Sequence, residues 1–413
     1  MNAKKLSVFE NLLWNSIGSF TYLVCQWLLT LIVVRESGNM GNVGDLALAI
    51  SVTNIFYNIA CFNVRSYLIS DLSGYYKASD YTGFRVFSCT LSVALCGIYI
   101  GVFKYSGEQI AAILTYMIFK VGEAWVDLLH GFEQRQSRMD IGGVSLFIRG
   151  LLSVISFYIT LKITQNLIWS IAIMSLTTYI FIALYDMGKI KQFEVVRINI
   201  QPATIKKMFF EFLPLTVGGF CSSLGANLPR QFLELKLGKE SLGIYSTVAT
   251  PAVIVQVAAS YIFNPVLTEF AWLYQQGEKK KFLKLAGKIS LVLVLLSLVS
   301  IVGSILLGRW GLSLLYGKYI GEYSYLLLPV IIFTCLNAYV WFLWNLLIIL
   351  RALKKLLIIS FVGLASCVVS MIPMIFFLGM NGVSYSLIIY SIVMILLMLL
   401  LMLKILKNGV KTV

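Results

Sequence analysis

Residues 141–161 read IGGVSLFIRGLLSVISFYITL, an apolar stretch with a single charge, Arg149, near its middle. A helix needs about twenty apolar residues to cross the hydrocarbon core of a bilayer, so this stretch predicts a membrane span. A charged side chain at that depth costs at least about 2.5–3.5 kcal/mol, and it normally faces a bundle interior or a wet cavity. We therefore expect Arg149 to lie inside a helix bundle and to be functional.

The rest of the chain has the same character. Hydrophobic residues make up 59% and charged residues 12% of its 413 residues, whereas soluble domains carry about 25% charged residues. We predict an all-α, polytopic membrane protein with about twelve transmembrane helices. The predicted spans are residues 12–34, 43–63, 86–103, 109–129, 141–161, 164–185, 208–228, 242–263, 288–307, 323–348, 355–378 and 381–403.

The longest hydrophilic connection in the middle of the chain, Asp186 to Lys207, separates six spans from the other six. We predict an N-terminal six-helix lobe over residues 1–187, a cytoplasmic linker over 188–207 and a C-terminal six-helix lobe over 208–413. Two six-helix halves are typical of a rocking transporter with its site at the interface of the halves. The alternative is one compact bundle of twelve helices.

Basic residues predict the orientation. If the N-terminus is inside, the inside segments carry more than two thirds of the 33 Lys and Arg, so both termini are predicted to be cytoplasmic. The net charge of +15 then reflects this inside bias and does not predict a nucleic-acid partner.

One predicted span carries a charged stripe. Its residues fall within a sector of about 80° on a helix: Lys120, Glu123, Asp127 and His130. Lys120 can pair with Glu123, and Glu123 and Asp127 are near neighbours. Because one of two adjacent carboxylates in a poorly hydrated site tends to keep its proton, Glu123 and Asp127 are candidate coupling residues. The alternative is a structural ion-pair ladder.

Hydroxyl groups flank Arg149 at i−4, i+4 and i+7, on Ser145, Ser153 and Ser156. A guanidinium in such a setting matches phosphate oxygens through two parallel hydrogen bonds, so Arg149 is predicted to bind an anion. The alternative is an arginine tied to Asp127 or Glu123 of the neighbouring span. That pairing could also be a resting state, broken when an anion arrives.

Two further helices present polar stripes, which predict a hydrophilic track or, alternatively, amide contacts between helices. The stripe of the first span is Asn11, Asn15, Ser19, Tyr22 and Gln26, and that of the second is Asn54, Asn58, Cys61 and Arg65.

Several classes of site are absent from the sequence. It has no P-loop, GxGxxG, GxSxG or HExxH pattern and no CxxC pair, and its single histidine cannot build a histidine metal site. We therefore predict neither an enzyme nor an ATP-driven pump, and no metal or cofactor.

The ends of several spans carry familiar segments. These are Asn11-Leu-Leu-Trp14-Asn15-Ser-Ile-Gly18, Val-Val-Arg35-Glu-Ser-Gly38 ahead of Gly44-Asp45-Leu-Ala, Phe212-Leu-Pro214-Leu, and Asn227-Leu-Pro-Arg230 leading to Leu237-Gly238-Lys-Glu-Ser-Leu-Gly243-Ile-Tyr245. Together they resemble the Wzx-type flippases of O-antigen and capsule repeat units. Those flippases belong to the superfamily of multidrug, oligosaccharidyl-lipid and polysaccharide exporters.

The resemblance implies a V-shaped pair of six-helix lobes that moves undecaprenyl-diphosphate-linked oligosaccharide from the cytoplasmic to the outer leaflet of the bacterial inner membrane. The diphosphate would meet Arg149 and Lys120, with Arg65 at the cytoplasmic mouth. Arg35 follows the first span, as an arginine does in the family, and Asn54 and Asn58 would line the path of the glycan. The implied partners are the lipid-linked oligosaccharide, membrane lipid, and a polysaccharide polymerase and chain-length regulator.

Two related functions stay open. One is a lipid-II flippase, although such relatives typically have fourteen spans. The other is a multidrug or organic-ion antiporter of the same superfamily, which would need an acidic lumen.

The predicted orientation can be tested by labelling. In a cysteine-free background, single cysteines at Gly107 and Lys236 should react with an impermeant thiol reagent in whole cells, because both positions are predicted to lie outside. A cysteine at Lys280 should react only after permeabilisation. Labelling of position 280 in intact cells would contradict the predicted orientation.

Overall fold

The structure, a computed structural model, describes residues 7–71, 75–193 and 197–408. The two chain ends predicted to be cytoplasmic, residues 1–6 and 409–413, and residues 194–196 of the predicted linker lie outside this described part. The chain forms two compact units, Met1–Thr216 and Val217–Val413.

Within the described residues the regular structure is helical, as predicted. In the N-terminal unit the helices are α1 Val8–Glu36, α2 Met40–Cys61, α3 Val64–Ser70, α4 Ala78–Val102, α5 Gly107–Arg135, α6 Met139–Thr164, α7 Leu167–Phe181, a π-helical segment Ile182–Asp186, and α8 Met187–Ile190. The remaining helices are α9 Pro202–Ala249, α10 Val253–Phe263, α11 Leu267–Gln275, α12 Lys279–Tyr316, α13 Lys318–Gly321, α14 Leu327–Ile349, α15 Leu353–Leu378 and α16 Asn381–Asn408.

Ten helical segments in the described ranges are long and apolar enough to cross a membrane. One of them, Pro202–Gln275, contains a break at Gly238, where φ is +83°, a conformation that favours glycine. The helix α5 is 29 residues long but too rich in charge to be counted among the ten. With that division and α5, the helices correspond in place to the twelve predicted spans.

The described residues of the predicted linker lie within the N-terminal unit. Asp186 is buried within the π-helical segment, and α9 begins at Pro202. Asn199 contacts the start of α4, where its amide side chain donates to Asp80 at 3.0 Å. Nearby, Tyr76 donates to Glu211 at 2.7 Å, and its burial and this hydrogen bond raise the pKa of the Tyr76 phenol.

The C-terminal unit packs through small residues and buried hydroxyl groups. A Cβ atom on Gly363 would meet the side chains of Met394 and Tyr390, so α15 and α16 approach closely there. Tyr245 and Ser384 share a hydrogen bond of 3.0 Å in the interior. Pro251 lies in the 3₁₀ turn that separates α9 from α10, which is the bend that a proline in a span predicts.

In the N-terminal unit, α1 and α6 meet backbone to backbone. A Cβ atom on Gly18 would clash with the backbone of Gly143, and one on Gly143 would clash with the carbonyl of Trp14. About two turns further along α6, Gly150 packs against the backbone of Tyr22. Small residues permit such close helix pairs in membranes, and this contact places Tyr22 beside Arg149.

Substituting Gly143 by alanine should destabilise the N-terminal unit. The added methyl group has no room against the backbone of α1, and overpacking of this kind costs about 1–3 kcal/mol. Thermal unfolding of the purified protein in detergent should show a lower Tm. The matched control is Gly97→Ala on α4, where a Cβ atom meets nothing within 4 Å. An equal Tm for the two variants would contradict the close contact.

Candidate functional site

Six charged side chains meet in the interior of the N-terminal unit, on four helices. We call them the charged interior: Arg65 on α3, Arg85 on α4, Lys120, Glu123 and Asp127 on α5, and Arg149 on α6. Four are cationic and two are carboxylates, so the group as a whole carries an excess of positive charge.

Arg149 is held by two partners. Its guanidinium forms an ion pair with Glu123, and its Cζ atom lies 4.9 Å from the centre of the Tyr22 ring. The side chain is only 1% exposed. The arginine is thus tied to a carboxylate of a neighbouring span, which is one of the two arrangements that its sequence setting predicted. The carboxylate and the ring together compensate a charge that would otherwise be costly to bury.

Two of the three serines that flank Arg149 form hydrogen bonds within the helix bundle. Ser153 donates to the carbonyl of Gly150 at 2.8 Å, and Ser156 shares a hydrogen bond of 3.1 Å with Thr177 of α7. Both hydroxyl groups are therefore engaged with protein atoms.

Asp127 forms ion pairs with two arginines. Its Oδ2 lies 3.1 Å from Nη2 of Arg85, and its Oδ1 lies 3.6 Å from Nη1 of Arg65. Arg65 also donates two hydrogen bonds to Gln134, at 3.2 and 2.8 Å. Left-handed residues Phe62 and Asn63 turn the chain between α2 and α3, and Arg65 follows directly after this turn. Arg65 is thus brought to α5.

Arg85 is a member of the site that the sequence reasoning missed. It is fully buried, and it donates to the carbonyl of Ala60 at 2.6 Å as well as pairing with Asp127. Ser88, one turn later, donates to the same carbonyl at 2.8 Å. The sequence predicts a span that begins at residue 86, whereas α4 begins at Ala78, so Arg85 lies inside the helix and not in the loop before it. The spacing of Arg85 and Ser88, at i and i+3, is the sequence feature that indicates a polar helix face at this position.

Lys120 lies between two aromatic rings. Its Nζ is 5.0 Å from the ring centre of Tyr57 and 5.7 Å from that of Tyr116. The predicted salt bridge from Lys120 to Glu123 does not form among the described residues, because Glu123 is bonded to Arg149. Cation–π contacts of this kind contribute about 0.5–2 kcal/mol each. Lys120 is therefore the cation of the charged interior that is held by rings alone.

The remaining predicted site residues lie at the margins of this group. Asn54 and Asn58 are half-buried on α2, and the Asn58 side chain donates to the carbonyl of Asn54 at 3.1 Å. Arg35 is exposed in the last turn of α1. It follows Tyr22 by thirteen residues, or about 20 Å along a helix, and so it is far from Arg149.

Comparison with known proteins gives no matching family model. A relative, the capsular polysaccharide biosynthesis protein CapF of Staphylococcus aureus, is 26% identical over 324 residues, which cover 77% of this chain and 80% of that protein. This likeness links the chain to a protein of capsule synthesis.

Solved structures share the fold. The inward-facing form of a multidrug resistance MATE family transporter of the MOP superfamily has a TM-score of 0.72 at 12% identity, over 97% of this chain and 100% of that one. The Vibrio cholerae MATE transporter VcmN gives 0.67 at 13% identity, over 97% and 96%. A Pyrococcus furiosus MOP superfamily transporter, described as having a binding pocket of reverse polarity, gives 0.60 at 13% identity, over 97% and 96%. The chain therefore has the all-α, multi-pass fold of MOP superfamily membrane transporters.

Proposed function

We propose that the protein is a flippase for polyprenyl-diphosphate-linked oligosaccharide repeat units, with undecaprenyl diphosphate as the carrier lipid. It would move them from the cytoplasmic to the outer leaflet of a bacterial plasma membrane by alternating access, with both termini cytoplasmic. The fold supports membrane transport, and the likeness to CapF supports a role in capsule synthesis.

The observation that carries the proposal is the positive excess of the charged interior. Four cations against two carboxylates, with Arg85 and Arg149 fully buried, are costly in a membrane protein, and intramembrane charges are retained where they serve a substrate or an ion. A diphosphate would supply the missing negative charge. Guanidinium groups match its oxygens through paired hydrogen bonds, which is why arginine recurs in phosphate sites.

The geometry suggests how such a headgroup would be received. Lys120, held by Tyr57 and Tyr116, has no carboxylate in contact among the described residues and can attract the anion first. Arg149 would follow once the headgroup displaces Glu123, so the ion pair corresponds to the resting state. Arg65, 30% exposed, would meet the headgroup from the solvent side.

The membrane potential acts in the required direction. An inside-negative potential favours outward movement of an anion by about 2.3 kcal/mol per charge per 100 mV. A diphosphate could therefore move outward without ATP. Glu123 and Asp127 would then balance the cations of the empty carrier during its return.

A multidrug antiporter is the second candidate, because transporters of that description share the fold. Such a protein would bind organic cations, which the excess of buried cations disfavours. Accumulation of ethidium in cells with and without the protein separates the two functions. Ethidium efflux that depends on Glu123 would favour the antiporter.

Loss of the Arg149 charge should abolish flipping. Arg149→Ala removes the anion ligand but also leaves Glu123 buried without its partner, which costs about 3–5 kcal/mol. We therefore expect reduced membrane abundance and no complementation of a strain that lacks a capsule repeat-unit flippase. The measurements are immunoblotting of membranes and capsule staining.

The double variant Arg149→Ala/Glu123→Ala separates folding from transport. It removes both charges, so abundance should return while complementation should not. Arg309→Ala, at an exposed position on α12, is the control and should complement fully. A double variant that restores both abundance and capsule would show that the ion pair is only structural.

The resting-state role of Glu123 predicts a gain in anion binding. Glu123→Gln weakens the competitor for the Arg149 fork, so the purified variant should bind a short-chain prenyl diphosphate more tightly than the wild-type protein, while flipping slows. Isothermal titration calorimetry measures the affinity. Glu278→Gln makes the same charge change at an exposed ion pair with Lys281 and should leave it unchanged. Weaker binding by Glu123→Gln would contradict the competition.

A further inference from the structure

Two buried carboxyl groups lie outside the charged interior. Glu133, near the end of α5, is 1% exposed, and Asp186, at the end of the π-helical segment, is fully buried. Neither carboxyl oxygen of either residue forms a hydrogen bond of normal geometry within the described part of the chain. These groups differ from Glu123 and Asp127, whose charges are matched by arginines.

The backbone beside Asp186 is unusual. Residues Ile182–Asp186 form a π-helical turn between α7 and α8, and this turn packs against both α5 and α6. Single π turns inside α-helices recur at functional sites, because the extra residue re-aims the side chains that follow. Here Asp186 ends in the interior, with the hydroxyl of Ser145 on α6 turned towards it.

The second buried carboxyl group lies against the same helix, α6, about one turn before Ser145. A Cβ atom on Gly142 would lie 2.8 Å from Oε2 of Glu133 and 3.2 Å from Cδ2 of His130, so the carboxyl and the imidazole flank the same point of α6. His130 is 7% exposed, and its Nε2, bonded to that Cδ2, has no hydrogen-bond partner in the described residues. Within the described residues, the site thus contains a buried carboxyl group and a buried imidazole nitrogen, neither of which has a hydrogen-bond partner.

The surrounding charges come from several elements. Those that act on Glu133 are Arg65 of α3, Arg138 and Asp140 at the start of α6, and Tyr185 and Asp186 of the π-helical segment. Those that act on Asp186 are Glu123 and Arg149. Arg65 and Arg149 also face His130. The nearby arginines are engaged elsewhere: Arg138 binds Asp140 at 2.9 Å, Arg149 binds Glu123 and Arg65 binds Gln134.

We propose that Glu133 and Asp186, with His130 and Ser145 beside them, form a proton-binding site of the N-terminal unit. A buried carboxylate without donors costs several kcal/mol, and binding a proton removes that cost. The step is the addition of one proton to a carboxylate to give the neutral acid, and it is reversed when the site becomes hydrated.

The site offers the transporter a coupling proton that is separate from the anion ligands. In so far as the proton serves transport, the inference rests on the proposed function, whereas proton binding itself does not. Protonation in one conformation and release in the other would let the pH difference across the membrane bias the return of the empty carrier.

Infrared difference spectroscopy of the full chain in liposomes tests the proposal without any substrate. Raising the pH should remove a carbonyl stretch of protonated carboxylic acid from the wild-type spectrum. Glu133→Gln and Asp186→Asn preserve side-chain shape, and at least one of them should lose this pH-dependent band. Glu278→Gln, at an exposed carboxylate, should retain it. The amide bands of the same spectra report whether each variant is folded.

Two results would overturn the proposal. One is a titrating band that persists at full size in both variants, and the other is a band that responds to added sodium at constant pH but not to pH. A fluorescent polyprenyl diphosphate, flipped in the same liposomes under an imposed pH gradient, then tests coupling. Loss of the band together with pH-independent flipping would overturn the coupling role alone, and a wild-type band without any flipping would overturn the proposed function alone.

Discussion

A guanidinium buried in a membrane bundle needs a matching charge, and the ion pair of Arg149 with Glu123 meets this requirement at the centre of the N-terminal unit. The pair joins α6 to α5, and Tyr22 of α1 covers the guanidinium from the other side. Four residues further along α5, Asp127 likewise forms an ion pair with Arg85. Within the N-terminal unit, α5 therefore supplies the carboxylates that hold the arginines of α3, α4 and α6.

Because both carboxylates bind arginines, they do not balance all four cations of the charged interior. Lys120 contacts the faces of two tyrosines, and Arg65, which shares Asp127 with Arg85, also binds the amide of Gln134. Neutral partners orient a cation without cancelling its charge. An anion that enters this region meets positive potential that the protein has not neutralised, while a cation meets repulsion. This asymmetry favours an anionic over a cationic ligand.

Much of the fold could be predicted from sequence, because length and apolarity determine whether a helix can span a bilayer. The sequence predicts the charged α5 as a span over residues 109–129, and its four-residue polar stripe does lie along one helix. Boundaries were less predictable: hydropathy ends a span where charges begin, whereas α4 and α12 continue well past that point. For this reason the predicted span does not include Arg85.

The partners of the site residues could not be predicted. Periodicity shows which residues share a face of one helix, but it does not show which helix that face meets. The sequence therefore allowed Lys120 to pair with Glu123 along α5, whereas the structure places Arg149 of α6 closer. The left-handed turn at Phe62 and Asn63, which brings Arg65 to α5, leaves no glycine or proline signal at those positions. Tertiary packing decided both contacts.

The backbone contact between Gly18 and Gly143 has a mechanical consequence. Helices that touch without intervening side chains cannot slide past each other by a fraction of a turn, because every other register puts a side chain where there is only room for hydrogen. The helices α1 and α6 therefore form one rigid pair, which carries the side chains of Tyr22 and Arg149. A backbone rearrangement that separates Arg149 from Glu123 would therefore move α5 relative to the α1–α6 pair.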